Sequence, residues 1–333
     1  MQEINGNVGV SVICTTYNHE PYIAACLSGF ISQKTTFKFQ VIVHDDASTD
    51  NTAQIINDYA TKYPNIIIPF IEKENKYSKH IPFIKDILPL VTGKYIAFCE
   101  GDDFWSSEFK LQKQYEAMEK HNSCSICVHK VQCIHENGLL LNRQYPGFAL
   151  HSDEISPADF FSLYSRESTI IFQLSSYFLK ANIYKDYINN PPEFKIICNV
   201  GDTPLLCFFA TKGYIYYIPE LLSCYRVMSL NSWSHRNSNC NSRIILNENM
   251  IAFDNALNEY TNFVYNDYMQ LSIKRRKFLI AQYKNDYKMC LSKELKDAYK
   301  IMPLRIRFSA FLRCYFPIVS KIIMIFFKKK KGH

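Results

Sequence analysis

The sequence predicts an α/β protein: a mostly parallel sheet with flanking helices, extended at its C-terminal end by a basic helical region. Three observations carry that expectation. Apolar runs of strand length alternate with helix-length segments from residue 10 to about 133. Two pairs of adjacent acids, Asp45-Asp46 and Asp102-Asp103, each follow such a run. Residues 274–333 hold 17 Lys/Arg against 3 Asp/Glu, whereas residues 1–273 hold 21 against 28.

A short β-branched and aromatic run bounded by turn residues reads as a buried parallel strand. Such runs place strands over 10–15, 39–44, 65–70 and 94–99, with a further strand over 125–133. Between them helices are expected over 21–33, over 49–62 (apolar at Ile55, Ile56, Tyr59 and Ala60), over 81–90 with a break near Pro89, and over 110–120. Strands and helices in this alternation form right-handed βαβ units. Beyond Gly138 the regularity weakens. A helix is expected from Ser156-Pro157, where Ser caps and Pro takes the first helical position. Another is expected over 205–210, ending at Gly213, then a short strand over 214–219. A polar loop over 231–241 and helices over 243–260 and 271–289 follow.

Composition narrows the chemistry. A hydrophobic content of 47% with 21% charged residues fits a globular protein. With only 10 Gly and neither Gly-x-Gly-x-x-Gly nor a Walker loop, glycine-rich phosphate cradles are excluded as the main binding device. Twelve Cys lack regular spacing; Cys124, Cys127 and Cys133 come closest to a cluster, and no His-rich partner completes a zinc set. They read as buried thiols in a reducing compartment. Residues 1–9 contain no basic segment and no apolar signal core, so a cytoplasmic placement is expected. The positive charge belongs to the tail and marks no nucleic-acid partner.

The acidic pairs carry the functional signal. Ligands of open α/β sheets gather at the carboxyl ends of strands. Adjacent carboxylates there repel each other, and a divalent cation or a polar ligand removes that cost. Each pair can instead cap the helix after it; two pairs at two strand ends argue for a site holding a metal and a phosphate-bearing ligand.

The segments Val10-Ser11-Val12-Ile13-Cys14-Thr15-Thr16-Tyr17-Asn18-His19-Glu20, His44-Asp45-Asp46-Ala47-Ser48-Thr49-Asp50 and Gly93-Lys94-Tyr95-Ile96-Ala97-Phe98-Cys99-Glu100-Gly101-Asp102-Asp103-Phe104-Trp105 together resemble family 2 glycosyltransferases of the GT-A fold. The resemblance is strong over 9–121, weaker over 122–235 and absent beyond. It implies a GT-A-type, Rossmann-like domain over 1–235, with a nucleotide-sugar half (9–121) and an acceptor half (122–235), and a helical basic extension over 236–333. The implied activity is inverting transfer of a sugar from a nucleotide diphosphate donor, UDP-type favoured, to an acceptor hydroxyl with Mn²⁺ or Mg²⁺. The expected setting is the synthesis of cell-surface polysaccharide or lipid-linked glycan. A sugar-nucleotide nucleotidyltransferase and a non-catalytic, membrane-associated glycan- or nucleotide-binding protein are the alternatives. The first of these usually carries a Gly-rich, Arg/Lys-containing loop near its N-terminus, which this chain lacks.

By that resemblance Asp46 accepts the base N3–H, and Thr15 and Tyr17 line and stack on the base, a task suited to an aromatic face. Glu20 is either a helix-start carboxylate or a nucleoside contact. Asp103 is the expected direct metal ligand, as a hard cation wants oxygen donors. Asp102 reaches the ribose or a metal-bound water. Glu100 either tunes the site or merely ends a strand. Asp202, in Gly201-Asp202-Thr203-Pro204, resembles the family base, and a helix N-terminus is expected to keep it ionised. It is also a good cap. Tyr225-Arg226-Val227-Met228 departs from the family at Met228, where a His often stands. Trp233 and His235 either close over a ligand or simply pack, and Lys73, Lys76 and Lys79 either meet the diphosphate or form a solvated charge run. Residues 306–331 alternate aromatics and basic residues without an uninterrupted apolar span. They read either as an interfacial helix on an anionic membrane, at its inner face, or as a helix packed on the core.

Overall fold

The computed structural model of the protein describes residues 8–79, 81–150, 152–167, 171–198, 201–227 and 239–319. Met228, Trp233, His235 and the tail from Ser320 lie outside them. Two units divide the chain: residues up to 160 with 169–191 and 200–235, and residues 161–168 and 192–199 with 236 onward.

In chain order the elements are β1 (Val8–Thr16), α1 (Ile23–Ile31), β2 (Lys38–Asp45), α2 (Thr52–Lys62), β3 (Ile67–Ile71), α3 (Ile84–Ile87) and β4 (Tyr95–Glu100). There follow β5 (Phe104–Trp105), α4 (Lys110–Lys120), β6 (Cys124–Ile134), β7 (Leu140–Tyr145), β8 (Glu154–Ile155), α5 (Pro157–Arg166) and β9 (Phe178–Lys180). Then come α6 (Ala181–Asn189), α7 (Glu193–Ile197), α8 (Asp202–Lys212) and β10 (Tyr214–Arg226).

The first unit is organised by one sheet in the order β3-β2-β1-β4-β9-β6-β10-β5, with β7 paired to β6 and β8 to β10. β1 runs parallel to both β2 and β4, and β6 parallel to β10, while β9 is antiparallel to its neighbours β4 and β6. The principal strands therefore end on one edge, and the loops after β1, β2, β4 and β6 gather there. Central strands covered on both faces must be apolar throughout. Val10, Val12, Ile13 and Cys14 are accordingly buried. Buried Ser11 is satisfied by accepting hydrogen bonds from the Gly93 N–H at 2.9 Å and from Gln40 Nε2 at 3.1 Å. Gly93 is there for closeness: a Cβ would stand 2.4 Å from the Ser11 nitrogen.

Three expectations change. The helix expected over 81–90 is a single turn, α3, followed by a 3₁₀ turn at Leu88–Leu90; Pro89 has no N–H to continue an α-helix. The strand expected to end at 219 continues to Arg226, because its register to β6 shifts between Ile218 and Leu221 and Pro219 falls in that irregularity. Strands β7 and β9 were not foreseen: β7 is largely exposed and polar, and β9 has three residues. The twelve cysteines are all free thiols, ten of them buried.

The second unit contains α9 (Cys240–Tyr260), α10 (Asn266–Tyr283), α11 (Tyr287–Cys290), α12 (Lys296–Ile301) and α13 (Leu304–Tyr315). Asn239 caps α9 by accepting the Ser242 N–H at 2.8 Å. Asp254 of α9 is buried and accepts from Ser272 Oγ and Arg276 Nε of α10, both at 2.8 Å, and from the Tyr164 hydroxyl. Three hydrogen bonds, one of them from a guanidinium, are what permit a carboxylate there.

Lys110 is buried in the first unit, its ammonium 4.1 Å from the Trp105 ring centroid and donating to Gln114 Oε1 at 2.7 Å. Burial pushes it down to about 7, opposed weakly by the Cys99 and Cys127 thiols. A depressed amine sheds its proton in the folded chain while the unfolded chain keeps it, so this group adds stability as pH rises from about 7 towards its ordinary value of 10.5. Denaturant titrations of the wild type and Lys110→Met are expected to show the wild type gaining on the variant by up to about 1.4 kcal/mol per pH unit above pH 7. A pH-independent difference would show that Lys110 keeps its proton in the core.

Candidate active site

The loops after β1 and β2 are fastened to each other. Asn18, in the left-handed region at φ 53°, donates its N–H to Ser48 Oγ at 2.8 Å and accepts the Thr49 N–H at 2.8 Å. The His19 N–H reaches Thr52 Oγ1 at 2.9 Å, and the Glu20 N–H reaches Asp50 Oδ2 at 3.1 Å. Glu20's carboxylate accepts from Asn51 N–H and Asn51 Nδ2 at 3.1 and 2.7 Å, holding the residue before α2. Tyr17 stands half-exposed at the end of β1, and Thr15 takes the Gly101 N–H at 2.9 Å on its carbonyl.

Asp45 and Asp46 divide their work. Asp45 is buried and caps locally, accepting the Ser48 N–H at 3.0 Å. Asp46 accepts the N–H groups of Lys76 and Tyr77 at 2.7 and 3.0 Å, pinning the loop after β3. Two of the three lysines expected there are engaged, Lys76 with Glu72 and Asp86 and Lys79 with Glu74, while Lys73 is exposed.

The second acidic pair divides too. Asp103 is 1% exposed. Its Oδ1 accepts the Arg226 N–H at 2.8 Å and its Oδ2 accepts Gln173 Nε2 at 3.1 Å. Gln173 Oε1 in turn accepts from Ser175, whose hydroxyl lies 2.8 Å from Ser223 Oγ on β10. Burial, with the charges on Asp102 and Glu100, holds the Asp103 carboxyl well above the usual range. The Asp102 side chain keeps 14% exposure, with His19 Nε2 3.9 Å from its Oδ2. Gly101 makes the approach possible, since a Cβ would stand 2.7 Å from Thr16 Oγ1 and 2.9 Å from His19 Nδ1. Those two atoms, both buried, have no hydrogen-bond partner.

Asp202 opens α8 and accepts the Thr203 N–H at 2.7 Å. Burial raises its carboxyl above the usual range, opposed by its bonds from Thr203. Glu100, which the sequence left between tuning and a mere strand end, is pushed up to about 8 by burial and by the charges on Asp102 and Asp202. The fold therefore brings Asp202 within electrostatic reach of β4's end, about a hundred residues away in sequence. The buried Tyr145 and Tyr177 hydroxyls, raised mainly by burial, also feel the charge of Asp202.

Arg226 binds the edge together. Its Nε donates to the Asp102 carbonyl at 2.9 Å, its Nη1 to the His135 and Glu136 carbonyls at 3.2 and 2.6 Å, and its guanidinium lies 4.4 Å from the Tyr22 ring. Neither Arg226 nor His19 stood out as a site residue in the sequence, since nothing local marks either.

No group of three or more His, Cys, Asp or Glu side chains among the described residues is arranged to hold a metal. The donor set nonetheless suits a hard cation of the Mg²⁺ class, which is held by one or two carboxylates and completed by phosphate oxygens and water. Asp102 supplies a partly exposed carboxylate in a site where its charge helps to raise Glu100 and Asp103.

This edge is an acidic cluster at the ends of parallel strands within a mixed α/β sheet of GT-A type. Residues 11–180, just over half of the chain, match the model of glycosyl transferase family 2, and the chain belongs to that family. An uncharacterized protein of Mycobacterium tuberculosis is 33% identical over 226 residues, 67% of this chain and 60% of the relative, so the chain spans only about that share of the relative's length. The poly(ribitol-phosphate) beta-glucosyltransferase of Bacillus spizizenii is 30% identical over 132 residues, 39% of this chain and 20% of that protein. Among solved structures, Staphylococcus aureus TarS 1–349 in complex with UDP-GlcNAc superposes with a TM-score of 0.56 at 18% identity, covering 90% of this chain and 83% of that one. A Pyrobaculum calidifontis mannosyltransferase in complex with GDP-Man and Mn²⁺ gives 0.54 at 15% identity, covering 96% and 84%. At such identities the two structures show the shared fold.

Asp46→Ala is expected to release the loop after β3 without unfolding the sheet. Hydrogen exchange at the Lys76 and Tyr77 amides should quicken by roughly tenfold or more while β1 and β2 amides keep their protection. Unchanged exchange at both amides would show that Asp46 does not hold the loop.

Proposed function

We propose that the chain transfers a sugar from a UDP-type donor to an acceptor hydroxyl with inversion at the anomeric carbon, in the assembly of a cell-surface polysaccharide or lipid-linked glycan. The observation that supports the reading is that the charge of Asp202 reaches Glu100, the last residue of β4 and two residues before Asp102. A UDP-GlcNAc complex of a similar fold and the poly(ribitol-phosphate) named for the Bacillus spizizenii relative support the donor and acceptor classes.

Tyr17 and Thr15 line the base, and Asp46, while holding the loop after β3, keeps lone pairs for the base N3–H. Glu20 braces the loop that carries Tyr17. Asp102, the accessible acid, faces the metal and diphosphate. Asp103, first expected to be the direct ligand, is assigned to positioning, because it is 1% exposed where the Asp102 side chain is 14% exposed, and its oxygens brace Arg226 and Gln173. When bound, Mn²⁺ or Mg²⁺ supplies charge neutralisation on the departing diphosphate. The acceptor oxygen attacks the anomeric carbon, the bond to the β-phosphate oxygen breaks, and the acceptor proton passes to the Asp202 carboxylate.

Asp202→Asn is expected to bind donor as the wild type does and to lose roughly 10² to 10⁴-fold in kcat, the scale of general base catalysis. A matching loss of donor affinity would reduce Asp202 to a structural role. The acidic pair separates differently. Asp102→Asn should abolish metal-dependent donor binding, read by calorimetry with and without Mn²⁺, while melting near the parent. Asp103→Ala should lose stability, about 1–3 kcal/mol for each donor left unpaired. Full metal-dependent binding by Asp102→Asn would return the ligand role to Asp103.

A further inference from the structure

Among the described residues, the last long helix of the second unit, α13, has one side buried and the other exposed. On α13, Ala310 is buried and Ile306 packs with it against a cluster of Phe278, Leu295 and Met302. Leu304, Phe308, Phe311 and Tyr315 recur at spacings of four, three and four, which places them on one stripe. They are 77%, 62%, 40% and 61% exposed, and Phe316, Ile318 and Val319 prolong the exposed apolar surface. Single exposed apolar residues are ordinary, but a contiguous stripe of large ones marks an interaction surface.

Charge selects the partner. From Ala298 onward the sequence has nine Lys/Arg and no Asp/Glu. Arg307 lies over the Tyr299 ring at 5.0 Å, and Arg313 donates to the Tyr287 hydroxyl, so both guanidinium groups are tethered beside the helix. A second copy of this chain meeting the stripe face to face would bring like charges together. An anionic lipid surface accepts the aromatic side chains at its acyl boundary and neutralises the basic ones at its headgroups. No helix among the described residues is long and apolar enough to cross a membrane, so the mode is surface binding.

We propose that α13 and the residues that prolong it, Leu304 to Val319, form a docking surface for anionic membrane lipid, with Leu304, Phe308, Phe311 and Tyr315 inserted and the flanking arginines and lysines at the headgroups. The inference is independent of the transfer reading, because it is read by binding alone.

The test is co-sedimentation of the full chain with vesicles of phosphatidylcholine, alone or mixed with phosphatidylglycerol. The protein is expected to pellet with the anionic vesicles only, and to be released as salt rises from about 0.05 to about 0.5 M. The pair Phe308→Ser and Phe311→Ser should weaken partitioning by roughly tenfold or more with an unchanged melting temperature. Should that variant unfold, Leu304→Ser with Tyr315→Ser, both far more exposed than Phe311, reads the same surface. Failure of the intact chain to bind, equal binding to neutral vesicles, or wild-type binding by the folded variants would overturn the proposal. So would a dimer in sedimentation velocity that the folded variants dissolve, since a second copy would then cover the stripe.

Discussion

A buried carboxylate joins the two halves of the site. Asp103 is out of water, and an acid placed there is tolerated only where its lone pairs are filled. They are filled from far along the chain, by the backbone N–H of Arg226 and the amide of Gln173. The first of these bonds ties the end of β4 to the end of β10. The second continues through Gln173 and Ser175 to Ser223, returning to β10. Because Asp103 cannot move without orphaning these donors, its neighbour Asp102 is presented at a fixed place on the edge.

The surrounding loops repeat that logic with exposed groups. Asn18, His19 and Glu20 are tied to Ser48, Asp50, Asn51 and Thr52, and Asp46 holds the loop after β3. A ligand arriving at such an edge meets groups already oriented, so less ordering is required on binding. Arg226 adds a further brace by gripping three backbone carbonyls at once. A lysine, with a compact ammonium instead of a planar fork, could not reproduce that geometry.

Much of this was legible in the sequence because buried parallel strands announce themselves. The runs of β1, β2 and β4 are apolar on both faces, and the acids that end them stand out for that reason. The division of labour within each acidic pair was not legible. Asp102 and Asp103 are neighbours of identical type, and what separates them is burial imposed by Arg226, 123 residues away, and Gln173, 70 residues away. The same holds for Asp202, whose helix-start position is read locally while the burial that raises its carboxyl comes from tertiary packing. Pro219 concealed the length of β10, since a proline within a strand argues against its continuation unless a bulge absorbs it. Lys76 and Lys79 looked available for phosphate and prove to be ion-paired within their own loop.

The most direct test of the joint at Asp103 is a crystal structure of the chain with an unreactive UDP-sugar analogue and Mn²⁺. The metal is expected on the Asp102 carboxylate and the diphosphate, with Asp103 still accepting from the Arg226 N–H and Gln173, and the Asp202 carboxylate facing the anomeric carbon. A complex in which Asp103 has left Arg226 to ligate the metal, or in which Asp202 points away from the sugar, would contradict it.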